Sequence, residues 1–422
     1  MSQATRILVS LVVGLALGIA LAAFAPGAVD PTLTIARPVG TAWLNALQMT
    51  VVPLIVSLVV TGVAATAEAA RAGRITARAI VLFVVMLIIG GTLSALITPL
   101  ILMAVPVPGE AAAALRGALG SGVPVEAGAV SLPDLFAAIV PTNVVAAAAN
   151  GAFLSLIIFT LAFAFAITRI DPARRDQLIA LFEGIRDAML VLINWVLWLA
   201  PLGVFALALV VGGSAGTAAV AALLHYIFVV SSIGCLVIVV AFALAWVGGR
   251  VSPLRFERAA LPAHAVAIST QSSLASLPAM LKGAEAMGVP VATAGVVLPL
   301  AVTMFRATQP AMNIAIAIYI AAWFGVPVTA GAIAAALTTA ILLSLGSVSL
   351  PAQITFFASI APVCVALGVP VAPLGLLIAV ETIPDIFRTF GNVTADLAAT
   401  ATVSARSGRV ARDAADGILE EN

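Results

Sequence analysis

The residues best suited to chemistry lie in one short run near the C-terminus. Glu381, Asp385, Arg388, Asn392 and Asp396 follow one another at intervals of 4, 3, 4 and 4 residues. Positions three and four apart share one face of a helix. A helix here therefore carries all five on one side, with Ile383, Ile386, Phe390 and Val393 opposite. A guanidinium is a planar fork that matches a carboxylate bidentately, and Asp385, one turn before Arg388, is placed to hold an ammonium. Together they read as a recognition face for a small zwitterion with an additional side-chain carboxylate. The main carboxylate would go to serine hydroxyls and to backbone amides at helix N-termini. The plainer reading of the same run is a structural ion-pair network.

Composition sets the environment of that face. Of 422 residues, 63% are hydrophobic and only 9% charged, with a net charge of +1, against roughly 25% charged in an ordinary soluble domain. No Asp, Glu, Lys or Arg occurs between Arg6 and Asp30, Arg37 and Glu68, Arg78 and Glu110, Asp134 and Arg169, or Asp187 and Arg250. Arg306 alone interrupts the stretch from Glu285 to Glu381. A bilayer core of ~30 Å takes roughly 20 apolar helical residues, so each of the first four gaps fits one span and the fifth fits two. The fold class is an all-α polytopic membrane protein, with spans predicted at 7–25, 38–66, 77–104, 133–168 (broken at 141–151), 177–211 and 217–247. The first is read as a transmembrane helix rather than a cleaved leader, although Pro26 and Gly27 follow it. An ionised group at a membrane-helix centre costs roughly 2.5–3.5 kcal/mol even on the lenient insertion scale. The charged face must therefore line a protein interior or a wet cavity.

Arginines cluster after the even spans, as Arg71, Arg74 and Arg78, then Arg169, Arg174 and Arg175, then Arg250, Arg255 and Arg258, and finally Arg406, Arg409 and Arg412. The positive-inside rule then places both termini in the cytoplasm of a cell (inner or plasma) membrane protein. A single lysine, Lys282, and a near-zero net charge argue against a nucleic-acid partner. Cys235 and Cys364 both sit in apolar segments, which is no disulfide framework.

Beyond Pro253 the apolar segments are interrupted at their middles. Ser269, Thr270, Gln271, Ser272 and Ser273 precede Leu277 and Pro278, and Ser344, Gly346, Ser347 and Ser349 precede Leu350 and Pro351. Non-helical backbone at membrane depth is tolerated only where protein buries it or a cavity meets it. Two interrupted segments in corresponding places point to a transporter site built on inverted repeats. Ser/Thr clusters can also simply join helices, but the pairing favours two re-entrant hairpins.

These motifs carry a resemblance. Asp385, Arg388, Thr389, Asn392 and Asp396 form the late-helix pattern of the dicarboxylate/amino acid:cation symporters, the glutamate and aspartate transporter homologues. Residues 44–54, Pro141-Thr142-Asn143, Ala149-Asn150-Gly151, residues 285–289 and Leu298-Pro299-Leu300 are similar to that family too. The resemblance implies eight transmembrane helices plus two re-entrant helical hairpins, inverted repeats, a homotrimer in the lipid bilayer and an elevator-type mechanism. It divides the chain into a scaffold and trimerisation half (1–252), whose third and sixth helices pack with the other half, a transport core (253–402) and a cytoplasmic tail (403–422). It implies substrate contacts from Ser272, Ser273, Ser347, Ser349, Asp385, Arg388, Thr389 and Asn392. Arg388 would take the distal carboxylate and Asp385 the amino group, the second hairpin (347–351) would close over the site, and Asp396 with Asn392 would help hold a cation. The expected activity is symport of an acidic amino acid such as aspartate or glutamate, with no cofactor beyond sodium or a proton as coupling ion.

The departures concern that ion. Where the family's seventh helix carries Asn-Met-Asp-Gly-Thr, this chain reads Phe305, Arg306, Ala307, Thr308 and Gln309. Phe305 and Ala307 offer no side-chain oxygen to a hard cation, and the usual third serine of the first hairpin is Leu274. Arg306 is read as a built-in cation in place of a sodium, or as an arginine reaching to water. Proton coupling would then involve Glu381, with His264 a weaker candidate because a lone histidine is more often structural. The sequence holds no Gly-x-x-x-x-Gly-Lys-Ser/Thr, His-Glu-x-x-His or Gly-x-Ser-x-Gly, so an enzyme is disfavoured. A C4-dicarboxylate, neutral amino acid or cystine carrier of the same fold, and less readily an anion channel, stay open as alternatives.

Overall fold

The apolar run after Arg6 winds into α1 (Gln3–Phe24), which lies against α8 (Ala200–Ala215). Small residues let the two backbones meet: a Cβ on Gly18 would stand 2.5 Å from the Leu209 carbonyl oxygen, and one on Gly212 2.5 Å from that of Leu15. The computed structural model describes residues 3–71, 73–107, 140–150, 152–346 and 352–420, with Gly109, Ala112 and Arg116 in addition.

The second predicted span, 38–66, is longer than expected and broken. Helix α2 (Val29–Gln48) starts before Pro38, whose missing N–H the helix tolerates, and α3 (Val51–Arg71) resumes after a turn at 49–50. Trp43 fastens α2 to α7 (Pro172–Trp198) by donating its indole N–H to the Val196 carbonyl at 2.9 Å. The predicted segment 177–211 is two helices: α7 starts at Pro172, capped by Asp171, and α8 leaves it at 55°. Pro201, which has no N–H to give the preceding turn, stands just behind the bend. Helices α4 (Arg74–Ala104), α5 (Val144–Ala149), α6 (Phe153–Ile167) and α9 (Ala218–Val247) complete this half.

In the second half, α10 (Pro253–Thr270) and α11 (Ser273–Ala286) are joined by Gln271 and Ser272 alone. Gln271 takes the left-handed conformation, φ 51°, that reverses the chain there. The two arms lie side by side, since a Cβ on Gly283 would be 2.6 Å from the Ala259 carbonyl oxygen. Helices α12 (Val291–Met304) and α13 (Thr308–Phe324) are separated by a break at 305–307. A second side-by-side pair, α14 (Ala330–Gly346) and α15 (Ala352–Leu367), follows. The residues joining this pair, 347–351, and with them Ser347 and Ser349, lie outside the described residues. A single turn, α16 (Leu374–Leu377), leads to the last helix, α17 (Thr382–Glu420).

Length and apolarity alone single out five membrane-crossing helices among the described residues, or six with the bent pair α7 and α8. Eight were expected from the resemblance. The segment broken at 141–151 falls short because only the fifteen residues of α6 follow the break, and α17 because ionised groups interrupt its apolar character.

Helix α13 is the centre of the bundle. Every residue from Thr308 to Ala321 is buried, as expected of a helix that is apolar all round. It packs against α4, α9, α14, α15 and α17, while α17 in turn lies among α4, α9, α10, α11, α12 and α13.

Candidate functional site

Enclosure of α17 turns its charged face inward. Glu381, Asp385, Arg388, Thr389, Asn392 and Asp396 are all buried, whereas Ile383 on the other side is 48% exposed. The spacing argument thus meets its physical requirement: four ionisable groups sit inside protein rather than against lipid.

Arg388 is held from three sides. Its Nη2 donates to Glu381 Oε1 at 2.7 Å, its Nη1 donates to Asn313 Oδ1 at 3.3 Å, and its Nε lies 3.6 Å from Asp385 Oδ1. The other carboxylate oxygen of Glu381 accepts the Tyr226 hydroxyl at 2.9 Å. Asn313 is oriented by α15, because its amide donates to the carbonyl (3.2 Å) and hydroxyl (3.1 Å) of Ser359. The guanidinium therefore sits in a prepared acceptor shell, with Glu381 as its strongest partner.

The break at 305–307 docks on α17 one turn further along. Thr308 donates its backbone N–H (3.0 Å) and its hydroxyl (2.9 Å) to Asn392 Oδ1, occupying both lone pairs of that oxygen. Gly391 makes room for this approach, since a Cβ there would come within 2.6 Å of Thr308 Cγ2. Phe305 is buried with its ring stacked on Phe83, centroids 4.5 Å apart. The charge of Arg306 acts on Asp385 and on Asp396. Asp385 Oδ2 and both oxygens of Asp396 accept no hydrogen bond among the described residues.

The tip of the first hairpin reaches the start of α17, where the Gln271 side-chain amide donates to the Thr382 carbonyl at 3.3 Å. Ser272 caps α11, its hydroxyl accepting the Ala275 N–H at 3.2 Å, and Ser273 opens that helix. Both serines are partly buried. The first hairpin tip and the start of α17 are thus in contact, and Arg306 lies in the break that is clasped to α17 through Asn392.

Three contributors escaped the sequence reading: Tyr226, Asn313 and the Thr308 clasp on Asn392. A signal existed for the first. The chain has two tyrosines, and Tyr226 and Tyr319 stand edge to face at 5.6 Å beside Glu381. His264 bridges α10 to α17, its Nε2 3.0 Å from the Thr394 hydroxyl and its Nδ1 3.2 Å from Glu257, with its ring stacked on Phe390 at 4.1 Å. It does not touch the Arg388 cluster.

A bundle of apolar helices enclosing a buried ionised face, with interrupted helices beside it, is the architecture of a secondary membrane transporter. The sequence profile of the sodium:dicarboxylate symporter family matches residues 4–406, and the chain belongs to that family. Its relatives differ in what they are named for. The chain is 26% identical over 425 residues to the proton/sodium-glutamate symport protein of Bacillus subtilis, covering 99% of this chain and 96% of the relative. It is 27% identical to C4-dicarboxylate transport protein 2 of Ralstonia nicotianae (97% and 91% covered), and 29% identical to the neutral amino acid transporter B(0) of Oryctolagus cuniculus (92% and 77% covered).

Proposed function

We propose that this symporter carries an acidic amino acid such as aspartate or glutamate across the cell membrane, with Arg388 taking the side-chain carboxylate and Asp385 the ammonium. One observation carries this reading: a buried guanidinium and a buried carboxylate one turn apart, Nε to Oδ1 3.6 Å, with one carboxylate oxygen of Asp385 left without a hydrogen bond. A zwitterion supplies the ammonium that this oxygen lacks. Ser272, Ser273, Thr389 and Asn392 would complete the substrate site, and Ser347 and Ser349 would belong to the second hairpin, proposed as the gate. Both hairpins would be re-entrant, the core 253–402 would move as an elevator against a trimeric scaffold, and both termini would be cytoplasmic. Coupling would be atypical, with Glu381 the acid to carry a proton.

A C4-dicarboxylate is the second reading, and the charge of Arg306 acting on Asp385 favours it. A substrate without an ammonium would otherwise leave Asp385 a costly buried charge. The names of relatives span glutamate, C4-dicarboxylates and neutral amino acids, so a binding panel decides. Thermal shift of the purified protein with aspartate, glutamate, succinate, malate and cystine should show stabilisation by aspartate or glutamate. Stabilisation by succinate and by neither amino acid would overturn the amino-acid reading.

A further inference from the structure

The family takes its name from sodium, and a hard cation takes its ligands from oxygen. The residues around the α12–α13 break fit it poorly. Phe305 fills one expected ligand position with a buried ring stacked on Phe83. Ala307, also buried, has no donor at the other. Asn392 Oδ1, a third expected ligand, already accepts two hydrogen bonds from Thr308. Among the described residues, both oxygens of Asp396 are buried and accept no hydrogen bond, and the same holds for one oxygen of Asp385. A carboxyl so placed is either neutral or matched by a positive partner.

We propose that Arg306, set in the break beside α17, is a tethered cation that takes the place of a sodium ion opposite Asp396, so that substrate binding needs no sodium. This rests on the carrier reading for its substrate, but not for its ion. Arg306 stands two residues before Thr308, which is clasped to Asn392, and Asp396 follows Asn392 by one turn on the same face of α17. Asp385 lies on the same face of α17, roughly three turns before Asp396. Because the break is pinned to α17 through Thr308 and Gly391, the backbone of Arg306 is held beside the helix that carries both acids. A bound ion would instead have to be recruited from solution.

The test uses purified full-length protein in detergent, with sodium chloride exchanged for choline chloride at constant ionic strength. Without any substrate, the wild type should show no sodium-specific thermal stabilisation. Its affinity for aspartate or glutamate should be the same in both salts. Arg306→Gln should weaken binding in choline by about tenfold or more and regain it on addition of sodium, whereas Arg306→Lys should keep sodium-independent binding. Sodium-specific stabilisation of the substrate-free wild type would overturn the proposal, as would an Arg306→Gln protein that binds equally well in choline. Failure of every amino acid to bind in either salt would instead sink the substrate reading, leaving the substrate-free sodium measurement to judge Arg306. If Arg306→Gln does not fold, the wild-type and Arg306→Lys measurements decide.

Discussion

Glu381→Gln is the most informative single change, because Glu381 already occupies the arginine that a substrate carboxylate would need. In the wild type one carboxylate oxygen accepts Arg388 at 2.7 Å and the other accepts Tyr226 at 2.9 Å. A glutamine has one acceptor oxygen, so it can keep the arginine and must turn its NH₂ toward the tyrosine. The arginine bond loses one of its two charges, and the tyrosine bond becomes neutral and reverses its direction. With charged bonds at ~1.5–3 and neutral ones at ~0.5–1.5 kcal/mol, the substrate-free protein should lose about 2 kcal/mol of stability. The same change removes the anion that competes with substrate for Arg388. It also takes the core from three acids and two bases to two of each, counting Glu381, Asp385 and Asp396 against Arg306 and Arg388. Affinity for aspartate or glutamate should rise about tenfold, within the ~5–150-fold range of such couplings, while that for a neutral amino acid stays constant. Isothermal titration at fixed pH reads affinity and thermal unfolding reads stability. If affinity for the acidic substrate fell instead, Glu381 would be orienting Arg388 for substrate rather than competing with it, and the reasoning would be refuted.

Other changes probe the supports of the site. Gly391→Ala puts a methyl 2.6 Å from Thr308 Cγ2, so overpacking of about 1–3 kcal/mol should loosen the Thr308 clasp and lower both melting temperature and substrate affinity. Gly18→Ala meets the Leu209 backbone at 2.5 Å and should cost a similar ~1–3 kcal/mol. Its binding titration should match the wild type, because neither α1 nor α8 supplies a side chain to the hydrogen bonds and ion pairs of Arg388. His264→Gln should lower stability by about 1 kcal/mol for its lost hydrogen bonds and leave the pH profile of uptake in liposomes unchanged. A displaced profile would put His264 in a proton path.

The α17 face was legible because a 4, 3, 4, 4 spacing makes sense only on a helix, and a buried one at this hydrophobicity. The first hairpin tip was legible from serines and a proline inside an apolar run, and the α12–α13 break from the family resemblance. Tyr226 and Asn313 were not. Each reaches Arg388 or Glu381 across 75 to 155 residues of chain, and no local pattern encodes such a meeting. The start of α2 was misplaced because the span was drawn from the charge-free gap after Arg37, whereas the helix runs back through Arg37 and Asp30 to Val29. Membership in the family was carried by the late-helix motif. The competition for Arg388, and the use of Asn392 Oδ1 by Thr308, required the folded geometry.

Counterflow in proteoliposomes tests the central claim most directly. Vesicles holding the purified protein and loaded with unlabelled L-aspartate or L-glutamate should take up the labelled L-amino acid in a saturable, stereoselective way, with succinate a weak competitor. Flux without saturation or competition would contradict a carrier, and exchange with succinate but with neither amino acid would contradict the roles given to Arg388 and Asp385.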